Sequence, residues 1–160
     1  YNMNMNEEKF SQRDKGLFVG GGEMGDRIQQ YPWETTSVGP ISEWPQSLRT
    51  VIRIMLTSRQ PIWVVWGREM IMFYNDAYRG ILGGKHPGSL GKPISEVWRE
   101  VWDDVGDMLN GVFNNNEGVY LESQRLVLER FGYPEETFFT FSYNPVPGED
   151  GRVGGMICTN

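Results

Sequence analysis

The chain has 160 residues but only one cysteine, Cys158, and one histidine, His86. A single cysteine cannot form an internal disulfide, and one cysteine with one histidine cannot supply the four ligands of a tetrahedral zinc site. A Ser-His-Asp triad would have to use His86, and no Gly-x-Ser-x-Gly sequence accompanies it. The sequence therefore gives no support to a disulfide scaffold, a His/Cys metal centre or a serine hydrolase.

Long apolar runs and basic clusters are also missing from the sequence. The apolar runs are far shorter than the roughly 20 residues that cross a bilayer, and no signal-peptide pattern opens the chain. The 15 lysines and arginines are outnumbered by 21 acidic residues, which gives a net charge of −6. Such a chain is poorly suited to binding a phosphate backbone. We expect a cytoplasmic domain that neither inserts into a membrane nor binds nucleic acid.

Two short apolar runs lie near the middle of the chain, at residues 62–66 and 70–74. The polar break between them contains Gly67, so the pair is typical of a β-hairpin. Asn75 follows the second run and can cap a helix, which predicts a short helix over residues 75–82.

Helical spacing resumes over residues 94–116, after a glycine- and proline-rich loop at 83–93. Three strands are then predicted, over residues 119–130, 137–146 and 152–159. On the second of these strands Phe139, Phe141 and Tyr143 alternate with other residues, so their three side chains point to one face. Because the intervening positions carry mostly hydroxyl side chains, we predict that the aromatic face is the covered one.

The N-terminal part is predicted to consist of a flexible tail over residues 1–21 and a helical extension over residues 22–60. Ser42 can cap a helix over residues 43–58 within this extension. One face of that helix carries Leu48, Val51, Ile52, Met55 and Leu56, and the other carries Arg49, Arg53 and Arg59. The apolar stripe must be buried, either on the chain's own sheet or in a dimer interface, and both options stay open.

Gly20, Gly22 and Gly25 have the G-x-G-x-x-G spacing of a dinucleotide-binding turn. That motif needs a buried strand before it and a helix of several turns after it, within a βαβ unit. Neither is predicted here. We expect a flexible segment leading into a short helix capped near Asp26.

Taken in order, several of these segments resemble a PAS domain over about residues 61–160. The hairpin runs into an Asn-x-Ala-aromatic helix start at Asn75, a Leu-Gly and Leu-Gly-Lys-Pro connection spans residues 82–93, and a set of long strands follows. Residues 22–60 resemble the N-terminal extension of one subgroup of PAS domains found in bacterial sensor histidine kinases. The resemblance implies an α+β fold, a PAS-like five-stranded antiparallel sheet with helices on one face, preceded by the N-terminal helical extension.

The resemblance also implies where a ligand would lie, because small ligands of PAS domains sit between the sheet and the helices. The corresponding residues here are Trp98, Trp102, Met108, Val112, Phe139, Phe141, Tyr143, Met156 and Cys158. These large groups could line a pocket of roughly a few hundred cubic ångströms. They could equally fill it, since native cores are close-packed, and a filled core without a cofactor is the expectation.

Haem and flavin are not expected. PAS domains that bind haem do so through a histidine on the helix before the third strand, and this chain has none there. His86 is instead expected to be a solvated loop residue. Flavin-photoreactive relatives carry their cysteine in an Asn-Cys-Arg-Phe sequence, which does not occur here.

The resemblance implies a sensory, signal-input domain of a larger signalling protein of the histidine kinase type. It would pass a ligand- or partner-dependent conformational change to a downstream domain in the same chain and would not be an enzyme itself. One alternative is a structural module that forms a homodimer through helix 43–58. A second is a small enzyme using Asp103 and Asp107, which lie on one helical face at i and i+4.

Overall fold

The computed structural model of the protein describes residues 10–160, so residues 1–9 of the predicted tail lie outside the described part of the chain. Five strands in this part form one sheet: β1 (Ile62–Trp66), β2 (Ile71–Tyr74), β3 (Val119–Leu128), β4 (Glu135–Pro147) and β5 (Val153–Thr159). All neighbouring strands are antiparallel, in the order β2-β1-β5-β4-β3. The prediction of a five-stranded antiparallel sheet is confirmed.

Strands β1 and β2 form the predicted hairpin, with Trp63 opposite Tyr74 and Val64 opposite Phe73. None of these four side chains is more than 4% exposed. Because successive side chains of a strand point to opposite faces, both faces of the hairpin must be covered. This double burial explains why the sequence shows continuous apolar runs here instead of an alternation.

Asn75 ends β2 and fixes the start of the following helix. Its side-chain oxygen accepts hydrogen bonds from the backbone N–H groups of Ile62 and Tyr78, each at 3.1 Å. Its amide nitrogen donates to the carbonyl oxygen of Met55 at 3.0 Å. A helical turn and then α4 (Arg79–Leu82) follow, so the predicted short helix after the hairpin is confirmed.

Two further helices, α5 (Ile94–Val97) and α6 (Trp102–Asn115), lie between β2 and β3 in the chain, as predicted. Helix α6 contacts β3, β4 and β5, and it buries Val105, Leu109 and Val112. Helices α4 to α6 therefore cover one face of the sheet. None of the helices in residues 10–160 is long and apolar enough to span a membrane.

The N-terminal region contains the helices labelled α1 (Gln12–Phe18), α2 (Gly22–Gln30) and α3 (Gln46–Thr57). The flexible tail predicted up to residue 21 is therefore wrong from α1 onward. The Ser11 hydroxyl caps α1 by accepting the N–H of Asp14 at 3.1 Å, and Leu17 and Phe18 are buried against the rest of the extension. Leu17 and Phe18 are adjacent apolar residues in a segment that is otherwise mostly small and polar, so they do not show a helical period in the sequence.

Helix α3 begins at Gln46, not at residue 43, because Ser42 and Glu43 belong to a separate helical turn before Pro45. Ser42 therefore does not cap α3, and no side chain in the described residues does. The predicted apolar stripe is buried within the chain. The apolar stripe of α3 is therefore part of the hydrophobic core of its own chain.

Arg49 was predicted to lie on the solvent face of this helix, and that prediction is wrong. Its side chain is buried, and its guanidinium donates to the Asp14 carboxylate and to the carbonyl oxygen of Ile41, both at 2.6 Å. The reason is that α1 packs on the side of α3 that the sequence pattern left to solvent.

The extension covers the face of the hairpin that helices α4 to α6 leave free. The Trp33 ring stacks on Phe73 at 4.5 Å between ring centroids, and the Trp44 ring meets the same phenylalanine edge-on at 5.6 Å. Phe73 pairs with Val64, whose side chain points away from that of its neighbour Trp63. Helix α3 also contacts β1, β2 and β4. Of the two options for its apolar stripe, the structure has the stripe packed on the chain's own sheet.

Helix α2 begins at Gly22, not near Asp26 as predicted. The Asp76 carboxylate accepts hydrogen bonds from the N–H groups of Glu23 at 3.1 Å and Met24 at 2.8 Å. A Cβ atom on Gly22 would lie 2.1 Å from the Asp76 carboxylate, and the φ of Gly22 is +66°. The anion position at this helix start is filled by the chain's own carboxylate, so the glycine motif serves packing and not a dinucleotide.

Candidate functional site

A cavity of about 50 Å³ lies between the sheet and helices α4 to α6. The helical side contributes Tyr78, Ile81, Ile94, Trp98, Val101, Trp102, Val105 and Leu109. The sheet side contributes Trp63, Leu126, Leu128, Phe139, Phe141, Tyr143, Cys158 and Asn160. Aromatic and aliphatic groups from both layers of the fold thus form most of the cavity lining.

Strand register places the sheet side of the lining. Cys158 on β5 pairs with Trp63 on β1 and with Tyr143 on β4, so the three side chains share one face. The Tyr143 ring lies 4.6 Å from that of Phe141 and 5.6 Å from that of Trp63. The predicted common face of the β4 aromatics is confirmed, although Phe139 is only half-buried.

Two tryptophans form much of the helical side. The Trp98 indole N–H donates to the Tyr78 hydroxyl at 3.1 Å, a buried hydrogen bond that fixes both rings. Trp102 packs against its own helix at Gly106, where a Cβ atom would lie 2.8 Å from the indole ring. Glycine at this position lets the indole lie flat against α6.

The structure brings six of the predicted ligand-binding residues to the cavity, namely Trp98, Trp102, Phe139, Phe141, Tyr143 and Cys158. Met108, Val112 and Met156 do not line it. Val112 and Met156 are almost fully buried in the adjoining core, and Met108 is half-buried. These three pack the layers together beside the cavity.

The prediction missed several lining residues, of which Trp63 and Tyr78 are the largest. Trp63 could not be assigned because both faces of β1 are apolar, and only its pairing with β5 shows which face meets the cavity. Leu126 and Leu128 follow the alternation along β3, which was available in the sequence.

No side chain in the cavity lining carries a charge at neutral pH. Burial raises the pKa of Cys158 and of Tyr78, and burial followed by the nearby Cys158 raises the pKa of Tyr143. The thiol and both hydroxyls therefore stay protonated. The site offers uncharged hydrogen-bonding groups and ring faces, and it has no group prepared for acid-base chemistry.

The cavity is small compared with a flavin or a haem. Pockets for molecules of that kind measure roughly 300–1,000 Å³, well above the cavity volume of about 50 Å³. Cys158 lies on a strand and its thiol is buried. A large planar group would fit inside the cavity only if several lining rings moved.

His86 is not the solvated loop residue that the sequence predicted. One ring nitrogen lies 2.8 Å from the Tyr74 hydroxyl and the other lies 2.8 Å from the Glu23 carboxylate. The imidazole therefore links β2 to the start of α2, and both nitrogens already have partners. The buried tyrosine and the distant glutamate were not identifiable as neighbours from their sequence positions.

The acidic residues Asp103 and Asp107 are exposed, and neither makes an ion pair or a side-chain hydrogen bond within residues 10–160. In the same part of the chain, no group of three or more His, Cys, Asp or Glu side chains could hold a metal ion. The enzyme alternative thus gains no supporting geometry from this pair.

No model of a known protein family and no curated protein matches the sequence. The solved PAS domain of a protein from Colwellia psychrerythraea superimposes with a TM-score of 0.52 at 13% identity, over 71% of this chain and 93% of that one. An RNA-binding light-oxygen-voltage receptor superimposes with a TM-score of 0.53 at 18% identity, over 69% of this chain and 31% of that one.

A sensory box sensor histidine kinase from Vibrio cholerae superimposes with a TM-score of 0.48 at 14% identity, over 72% of this chain and 88% of that one. A similarity at that score carries no weight by itself. At identities this low, the two stronger similarities show the fold alone. The chain folds as a PAS domain preceded by a helical N-terminal extension.

Proposed function

We propose that this chain is the sensory, signal-input domain of a larger cytoplasmic signalling protein of the histidine kinase type. The observation that carries the proposal is the cavity, which is lined by side chains from both layers of the fold and holds no charged group. Such a site can bind a ligand and can change shape with occupancy, but it has no arrangement for turnover. Neither haem nor flavin belongs to the proposal.

The signal is proposed to pass through the central strands of the sheet. Trp63 lies against the cavity, and its neighbour Val64 points to the opposite face, where the extension packs. A ligand that favours one packing of helices on sheet would shift the population of both faces, because packed layers respond as a unit. The extension would then report occupancy of the cavity without touching the ligand.

A second route leads along β5. Cys158 and Asn160 both line the cavity, and the Asn160 N–H donates to the carbonyl oxygen of Pro61 at 3.1 Å. A ligand that moves Asn160 would also strain this link to the start of β1. We propose that a downstream domain in the same chain receives the change through the segment that follows β5.

Native mass spectrometry of the protein purified from its own cells tests the proposal. We expect the mass spectra to show a small molecule bound to a fraction of the protein. We also expect that removing this molecule makes amide hydrogen exchange faster in α3 and around Trp33. If amide exchange in the extension is the same before and after any bound molecule is removed, the sensory proposal is contradicted.

The second candidate function is a structural module that forms a homodimer through α3. Its apolar stripe is unavailable, since the chain's own core covers it. Ile54 remains 53% exposed on α3, and Val19, whose carbonyl oxygen accepts a hydrogen bond from Arg53, is 63% exposed beside it. These two side chains give the specific reason for keeping the dimer as a candidate.

Light scattering over a concentration series tests the dimer. If α3 forms the interface, Ile54→Asp should convert the dimer to a monomer, whereas Tyr133→Asp, at a 55% exposed position on the β3–β4 connection, should leave it intact. A single molecular mass equal to that of the monomer at all concentrations would remove this candidate.

A further inference from the structure

We propose that the cavity binds an uncharged molecule of only a few non-hydrogen atoms, held by the surrounding rings and by one hydrogen bond with the Tyr143 hydroxyl. This inference rests on the proposed sensory function and names the chemical class of its ligand. Three observations support it: the small volume of the cavity, the lack of charged side chains in its lining, and the Tyr143 hydroxyl, which has no hydrogen-bond partner in residues 10–160.

The size of the cavity limits the ligand to a small molecule. One buried water needs at least about 10–15 Å³, and a cavity of about 150 Å³ in another protein binds benzene. A volume of about 50 Å³ is therefore room for a few water-sized groups and less than benzene requires. Larger molecules would protrude from the cavity or would have to displace lining side chains such as Trp63 or Trp98, and the latter is held by its hydrogen bond to Tyr78.

The absence of charge in the lining decides the charge of the ligand. Arg130 and Lys85 lie near the helices but do not line the cavity. Burying an ion without a partner of opposite charge is strongly unfavourable. An anion or cation of suitable size would lose its hydration and gain only ring faces and neutral dipoles, so it should be rejected.

Tyr143 supplies the polar contact. It is 5% exposed and lines the cavity, and no side chain in the described part of the chain forms a hydrogen bond with its hydroxyl. The hydroxyl of Tyr78 differs in having a side-chain partner, since it accepts the Trp98 N–H, although its own O–H can still donate. Since no group in residues 10–160 forms a hydrogen bond with this hydroxyl of Tyr143, it is free to donate to a ligand with a hydrogen-bond acceptor.

Three probes of matched shape separate these features. Acetone, isobutene and acetate have the same number of non-hydrogen atoms and a similar planar, branched outline. Acetone is neutral with an acceptor, isobutene is neutral without one, and acetate is charged. Binding is measured by titrating the methyl resonances of Leu126 and Val105, which line the cavity.

A second measurement uses the thiol of Cys158, the only cysteine in the chain. It lines the same cavity and is 1% exposed, so a bulky anionic disulfide reagent should reach it only when the fold opens. A bound probe should slow this reaction in proportion to occupancy. We expect acetone and isobutene to slow it and acetate to have no effect at equal concentration.

The variant Tyr143→Phe tests the hydrogen bond. It removes only a hydroxyl without a partner, so the protein should fold. We expect acetone to bind about tenfold more weakly to this variant, with isobutene binding unchanged. The matched control is Tyr133→Phe at a 55% exposed tyrosine outside the cavity, which should alter neither probe.

Acetate binding as tightly as acetone, or acetone binding unchanged by Tyr143→Phe, would overturn the inference, and so would a failure of both neutral probes to bind. A charged or much larger molecule found in the cavity of the native protein would also overturn it while leaving the sensory proposal standing. A different outcome is that the neutral probes bind but do not change amide exchange in the extension. They would support the ligand class and count against the sensory proposal.

Discussion

Arg49 and Asp14 form a buried ion pair that joins α3 to α1. The side chains are 5% and 9% exposed, and the guanidinium also donates to the carbonyl oxygens of Ile41 and Trp44. The carboxylate and the two carbonyl oxygens replace the hydrogen bonds to water that the guanidinium loses on burial. Removing one member of such a pair leaves the other charge buried without a partner, which is far more costly than losing an exposed pair.

Arg49→Leu is therefore expected to lower the free energy of unfolding by about 3 kcal/mol or more, measured by urea denaturation. The double variant with Asp14→Leu should recover much of that loss, because no charge remains buried. Arg125→Leu is the matched control. Its ion pair with Glu136 is more than half exposed, so its loss should cost less than about 1 kcal/mol. Equal losses for Arg49→Leu and its control would show that burial does not govern this pair.

At the scale of elements, the start of α2 is held by a residue from the PAS core. The Asp76 carboxylate takes the place that a capping side chain would have, and the Arg79 guanidinium lies 3.4 Å from the Glu23 carboxylate beside it. This polar contact joins the extension to the turn after β2, on the same side as the His86 link. The extension is therefore attached by directional bonds as well as by apolar packing.

Gly22→Ala should disturb this attachment. Its Cβ would lie 2.1 Å from the Asp76 carboxylate, and its φ of +66° disfavours a side chain. Gly20→Ala is the control, because that residue has a φ of +75° and nothing within 4 Å of an added Cβ. We expect a loss of about 1 kcal/mol for Gly20→Ala and about 1–2 kcal/mol more for Gly22→Ala.

A double variant tests whether the extra loss comes from the contact itself. Asp76→Ala removes the carboxylate that the new Cβ would strike, so it should reduce the effect of Gly22→Ala to that of its control. Thermal or urea unfolding of the four proteins in this cycle provides the measurement. Additive losses would mean that Gly22 matters for its backbone conformation alone.

For the whole molecule, buried acids determine how stability depends on alkaline pH. Burial raises the pKa of Cys158 from its ordinary value of 9.0, and that of Tyr74, Tyr78 and Tyr143 from 10.0. The unfolded chain thus loses these protons first, and ionisation favours unfolding. Their contribution is complete below about pH 9 and is lost as the pH rises above that value.

We therefore expect the free energy of unfolding to fall steadily above about pH 9, with each fully buried group adding up to about 1.4 kcal/mol per pH unit. Tyr143→Phe should make the fall less steep above pH 10, because Tyr143 no longer ionises in the unfolded chain. Urea titrations at stepped pH measure the slope, with Tyr133→Phe as the exposed control. A slope that Tyr143→Phe leaves unchanged would contradict the burial of this hydroxyl.

Acid pH acts on the link between extension and core. Burial raises the pKa of Glu23, but the hydrogen bond and charge of His86 and the charges of Arg79 and Arg27 outweigh it, so the pKa is lowered from 4.5. The contribution of Glu23 is present above that pH and is lost as the pH falls further. As the pH falls below 4.5, the backbone around Glu23 should therefore lose protection against amide exchange at a higher pH than the backbone of the sheet. Hydrogen-exchange mass spectrometry at stepped acid pH measures this difference.

Sequence patterns worked where one local rule decided the outcome. The alternation at Phe139, Phe141 and Tyr143 fixed their common face, and the amide of Asn75 fixed the end of the hairpin. The patterns failed where a distant element supplied the partner. Arg49 was predicted to face solvent, but α1 covers it and supplies Asp14 as its partner. His86 was predicted to be a solvated loop residue, but its ring lies between Tyr74 and Glu23.

The sequence by itself determined the five antiparallel strands, the helices between β2 and β3, and the aromatic face of β4, since these depend on residue period, caps and turns over short distances. Only the tertiary structure decided that the extension covers the second face of the hairpin, that the apolar stripe of α3 is buried in its own chain, and that the cavity beside Tyr143 is small and lined by uncharged groups. Those outcomes depend on the pairing of segments far apart in the chain, and on how completely side chains from both layers fill the volume between them. Neither quantity is encoded in a local pattern.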